Sequence, residues 1–186
     1  AVLLISLLIT GCSGGQSQKT KEKETIKLGY VQWASSEAST YLTKEVLERA
    51  GYDVKLLTVQ AGAMFQGLAK GDIDSIVCAW LPKTHKSYWE EYGDKYVELG
   101  VNYDRAKIGL AVPKYVEIDS IAELKNNADK FNNKLIGIDP GAGIMQVTKN
   151  TAMGQYGLQD WTLVESSGPA MTAKLEQAIN KKEPVV

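Results

Sequence analysis

Short apolar runs alternate along this chain with segments of helical spacing, and no other feature restricts its fold as much. Ile26 to Trp33 (IKLGYVQW) predicts a strand. Ser35 and Ser36 are candidate helix N-caps, apolar positions then recur at Tyr41, Leu42, Val46 and Ala50, and Gly51 suits a helix stop. Val54 to Val59 predicts a second strand and Ala63 to Ala69 a short helix closed by Gly71. Ile73 to Trp80 (IDSIVCAW) ends in a continuous apolar run, as expected of a parallel strand buried on both faces. A second set follows. It has strands at Ile108–Val112, Leu135–Ile138 and Thr162–Val164, and helices at Ile118–Asn126 and Ile144–Gln155. A last helix has Pro169 at its first position and Met171, Leu175, Ala178 and Ile179 on one face. Strand–helix alternation of this kind implies right-handed crossovers and open parallel sheets. The expected class is α/β in two lobes, 26–112 and 113–186, with the crossing near Val112 to Val116.

The ends carry different signals. Residues 1–11 begin with AVLLISLLIT, too short to span a bilayer and suited to the remnant of a secretory signal. Leu8-Ile9-Thr10-Gly11-Cys12 resembles a bacterial lipobox, so Cys12 is expected to carry lipid. Residues 12–25 lack the aliphatic side chains needed for burial and read as a flexible tether. At the other end Pro184-Val185-Val186 looks like a strand beginning, so the natural polypeptide is expected to continue. Lys and Arg number 21 against 22 Asp and Glu, giving a net charge of −1 and no global field toward nucleic acid. One His and two Cys leave no basis for a disulfide framework or a zinc site, and no metal or cofactor is implied. Cys78, in an apolar run, reads as a small core residue.

In open α/β sheets ligands bind beyond the carboxyl ends of the strands. Trp33 and Trp80 both close predicted strands, and Asp139-Pro140-Gly141-Ala142-Gly143 closes another and opens a helix. A Trp in such a place is either a packing residue or an exposed ring. Two at equivalent ends suit a quaternary ammonium, which offers no hydrogen-bond donor and is drawn to ring faces. Arg49 and Arg105 are the only arginines, and neither falls at a strand end. Gly141-Ala142-Gly143 starts a GxGxxG pattern, but the sixth position is Gln146, so the dinucleotide fingerprint is incomplete. The free amides of Gly143 and Ile144 at a helix start still suit an anion such as a carboxylate. His85, five residues past Trp80, is either a polar cap residue or a donor to that carboxylate. Tyr88, Trp89, Tyr92 and Tyr96 read as packing, and Trp161 as core.

Several long motifs, in order, carry a family likeness. GYVQWASSEAST, AWLPKTHKSYW, IGIDPGAGIM and DWTLVESSGPAMTAKL resemble the glycine betaine/proline betaine substrate-binding proteins of osmoprotectant ABC importers. The likeness runs from Ile26 to Val186. It implies a periplasmic-binding-protein type II fold whose two lobes close over the ligand. It implies that Trp33 and Trp80 contribute to an aromatic box around the trimethylammonium group. It also implies that His85 and the amides of Gly143 and Ile144 hold the carboxylate. The family takes a further Trp from a segment resembling GWSPHW, which this chain does not contain, so the C-terminal part of the fold is expected to be missing. The implied partners are an ABC permease with its cytoplasmic ATPase, and a membrane reached through the Cys12 anchor. A choline- or carnitine-type binder or a sensor lobe are rival readings. An exported hydrolase using His85 is another, but no GxSxG elbow occurs and Ser35, Ser36, Ser166 and Ser167 have no supporting base.

Overall fold

The structure, a computed structural model, describes residues 24–186. The signal remnant, Cys12 and nearly all of the tether lie outside the described residues. Two parallel sheets organise the rest. In the first, β1 (Thr25–Tyr30) pairs in register with β2 (Asp53–Thr58) across α1 (Ala34–Arg49), a βαβ unit. α2 (Ala61–Lys70) follows and stops at Gly71, whose φ of 79° is the left-handed cap that glycine adopts without strain. α3 (Lys86–Tyr92) completes this half. Val31, Ala61, Met64, Phe65 and Ile73 form its core, with Tyr88, Tyr92 and Tyr96 packed against it as expected.

The second half begins its helices with α4 (Ile121–Leu124). β3 (Lys134–Ile136) pairs in parallel with β4 (Thr162–Val164). Between them, α5 (Gly143–Val147), a π turn (Thr148–Ala152) and α6 (Met153–Gln155) run on as one helical stretch. α7 (Gly168–Lys181) is capped by Ser167, whose hydroxyl accepts from the amide of Ala170 at 3.3 Å. Gly168 takes the first helical position and Pro169 the second. Val116, Leu124, Phe131, Leu135, Leu158 and Trp161 form a separate core. On the side of β3 away from β4, the Ile136 amide donates to the Val186 carbonyl at 2.8 Å, and Val185 is buried.

Several expectations need correction. Ile73–Trp80 is not a continuous strand. It meets β1 only at Asp74 and Ser75: the Asp74 amide donates to the Lys27 carbonyl at 2.9 Å and the Ser75 carbonyl accepts from the Gly29 amide at 3.0 Å; beyond that point it has no ladder partner among the described residues. Ile108–Val112 also has no strand neighbour among them. Leu110 and Val112 instead pack on the second core. The first strand ends at Tyr30, and Trp33, with extended φ and ψ, is itself the N-cap of α1. Ser35 and Ser36 do not cap. Ser36 is buried under the first turn, where its hydroxyl accepts from the Val31 amide at 3.4 Å.

The buried side of α1 also differs from the expected stripe. Ser36 and Thr40 face inward, while Tyr41, Leu42 and Val46 are 55%, 66% and 58% exposed. Small side chains let this helix sit close on the β1–β2 pair and leave its larger apolar residues outside.

Candidate functional site

A cleft of about 760 Å³ lies between the two halves, and all five candidate site residues line it. Trp33 reaches it from the N-terminus of α1. Trp80 reaches it from the end of the segment that crosses β1. His85 arrives as the N-cap of α3, and Gly143 and Ile144 as the first residues of α5.

His85 is the best-defined member. It is 1% exposed, and its ring lies nearly parallel to that of Trp33, with centroids 6.0 Å apart. The backbone amide of Trp80 donates to His85 Nδ1 at 2.9 Å, and the His85 amide donates back to the Trp80 carbonyl at 2.9 Å. A nitrogen that accepts cannot carry the proton, so the neutral ring holds it on Nε2. Burial pushes the pKa down to about 4, which keeps the ring neutral in ordinary media. His85 therefore presents one N–H donor to the cleft and no charge.

The amides of Gly143 and Ile144 have no hydrogen-bond partner among the described residues, as expected for the first turn of a helix. α1 and α7 also begin at the cleft, through Ala34 and Ser35 and through Gly168 and Pro169. Each helix start carries a partial positive charge of roughly half an elementary unit, so an anionic group is favoured where they converge. Trp33 and Trp80 supply π faces in the same space, and Glu37 and Glu176 lie on its lining. A zwitterion with separated cationic and anionic ends fits this division.

Some contributions were not foreseen from the sequence. A side chain at Gly143 would collide with the carbonyl of Thr84. A Cβ at Gly168 would lie 2.6 Å from the carbonyl of Gln32 and 3.5 Å from Cδ1 of Trp33. Both glycines are places where one half's backbone presses on the other. The visible signal was the glycine at each helix start, which alone does not say what lies opposite. Cys78 is buried and free, as expected of a core residue, but its Sγ also accepts from Trp80 Nε1 at 3.0 Å and so orients that indole. Asp139 is buried and Oδ1 has no hydrogen-bond partner. Burial raises its pKa despite the amides of its own residue, Gly141, Ala61 and Ala142 around it. Among the described residues no group of His, Cys, Asp and Glu is arranged to hold a metal.

Two parallel α/β units with strand ends and helix starts converging on an interdomain cleft define a type II periplasmic binding protein. A sequence model of the substrate-binding domain of ABC-type glycine betaine transport systems matches residues 24–186, and the chain belongs to that family. The family is one of transport binding proteins, not of enzymes.

Its similarities to individual relatives are consistent. It is 42% identical over 105 residues to the glycine betaine/carnitine transport binding protein GbuC of Listeria monocytogenes, covering 56% of this chain and 35% of that protein. The glycine/betaine/L-proline-binding protein (ProX) from Borrelia burgdorferi superposes with a TM-score of 0.82 at 42% identity, over 87% of this chain and 61% of that one. Lactococcal OpuAC, in its closed-liganded conformation complexed with glycine betaine, gives 0.81 at 37%, over 88% and 63%. The chain thus spans about a third of the Listeria protein and less than two thirds of either solved structure.

Proposed function

We propose that this protein captures glycine betaine, or a close relative such as proline betaine, and delivers it to the permease of an ABC importer. The observation that carries this reading is the convergence of Trp33, Trp80, His85, Gly143 and Ile144 on one cleft. In this reading the trimethylammonium group lies against Trp33 and Trp80, each desolvated cation–π contact contributing about 2 kcal/mol. The carboxylate takes the Nε2–H of His85 and the amides of Gly143 and Ile144, with charge-assisted bonds of roughly 1.5–3 kcal/mol each. His85 and the tryptophans belong to the first half, and the two amides to the second. A bound zwitterion then bridges halves assigned as lobes 26–112 and 113–186, and favours their closure.

Calorimetric titration of the intact protein with glycine betaine, carnitine and choline tests the reading. Saturable heat with glycine betaine is expected. Choline lacks the carboxylate and leaves the donors unpaired, so binding of choline with no heat from glycine betaine refutes it. Carnitine is the second reading. The Listeria relative is named for it as well as for glycine betaine, and the cleft has room for a longer zwitterion.

Importer binding proteins work outside the cytoplasmic membrane, and no helix among the described residues is long and apolar enough to cross one. We assign attachment to lipid on Cys12. Metabolic labelling with a fatty acid should mark the protein and fail to mark Cys12→Ala.

A further inference from the structure

The proposed carboxylate site has a geometric difficulty. Its donors sit on opposite halves, so His85 and the Gly143–Ile144 amides act together only if the halves are held in one register. The side chains that could set that register lie just outside the ligand cleft, two and three residues beyond His85.

The Tyr88 hydroxyl donates to the Gly141 carbonyl at 2.7 Å, two residues before Gly143. Gln146 Nε2 donates to the same hydroxyl at 3.2 Å and lies 3.4 Å from the same carbonyl. Ser87 Oγ donates to Gln146 Oε1 at 2.7 Å. Both ends of the Gln146 amide are therefore used, and the Tyr88 hydroxyl both donates and accepts. The Tyr88 ring is stacked on Phe65 at 4.6 Å and 14°, and Phe65 also packs edge-on against His85 at 5.0 Å. Phe65 is buried in the first core. The same rigid post thus fixes the imidazole and, through Tyr88, the opposing turn.

We propose that Tyr88 and Gln146 are positioning residues that register the Gly141–Ile144 turn against His85, so that closure and assembly of the carboxylate donors are a single event. This rests on the betaine reading above. It assigns a binding role to an aromatic cluster that packing alone had explained.

A latch made on closure resists reopening without altering the encounter. Stopped-flow binding of glycine betaine to the intact protein, Tyr88→Phe and Gln146→Ala separates these steps. Tyr88→Phe keeps the stack on Phe65 and removes only the hydroxyl. Each variant should dissociate ligand about tenfold faster with an unchanged association rate, as expected from loss of one or two hydrogen bonds. The double variant should be little worse than either single one, because both residues act through Gly141. Unchanged dissociation in Tyr88→Phe, or a loss confined to association, overturns the proposal while leaving the betaine reading intact. Failure of the unmodified protein to bind glycine betaine overturns both.

Discussion

The two halves supply the cleft with different kinds of chemistry. The first gives side chains: two indoles and an imidazole, set on a core in which Phe65 is flanked by Tyr88, Tyr92 and Tyr96. The second gives main chain: the amides of Gly143 and Ile144 and the start of α7, set on a core of aliphatic side chains with Phe131 and Trp161. A cationic end needs polarisable faces, which only side chains provide. An anionic end can be held by backbone dipoles, which any sequence provides if the turn is right. Under the proposed function, recognition by the first half depends on residue identity and by the second on residue size, because its amides must be brought close and left bare.

That contrast can be broken by substitution. Removing both rings, Trp33→Ala with Trp80→Ala, should weaken glycine betaine binding by more than about a hundredfold, from two contacts of about 2 kcal/mol. Calorimetry checks this, and retained affinity would show that the first half does not act through its side chains. Gly143→Ala comes next. Its new methyl meets the Thr84 carbonyl, so the halves must part, and affinity should fall at least about tenfold with no side-chain contact removed. Gly154→Ala in α6 is the control: its Cβ meets nothing within 4 Å, and it should leave affinity unchanged while adding about 0.5–1 kcal/mol of stability.

A further effect, on stability and not affinity, concerns pH. The folded pKa of His85, about 4, lies below its ordinary 6.5. The unfolded chain therefore takes up the proton first, and this contribution to stability is lost as pH falls from 6.5 toward 4. Thermal melts across that range should show a decline that is shallower in His85→Gln, which retains an acceptor for the Trp80 amide. Equal slopes would refute the link.

The sequence revealed the strands that are paired locally and the residues whose chemistry is intrinsic. β1, β2, β3 and β4 each fall within or beside an apolar run, and Trp33, Trp80 and His85 were found by residue type and by position after a run. Ile73–Trp80 and Ile108–Val112 misled because an apolar run states a wish for burial, not the presence of a neighbouring strand. Ser36 misled because a serine near a helix start caps or packs according to what lies beneath it. The outward stripe of α1 has the same cause: periodicity marks a face but not which face meets the sheet. Tyr88 reads as packing because it clusters in sequence with Trp89, Tyr92 and Tyr96, whereas its hydrogen bond to Gly141 joins residues 53 positions apart.

The hydrogen bond from the Trp80 amide to His85 has one more consequence. It gives the imidazole proton a fixed address. A ring held in this way cannot exchange its two nitrogens without breaking a buried main-chain bond. It also stays uncharged until the medium is about as acidic as pH 4. Under the proposed function, surroundings of changing acidity would therefore leave the same neutral donor facing a carboxylate, and capture would follow ligand concentration, not proton concentration.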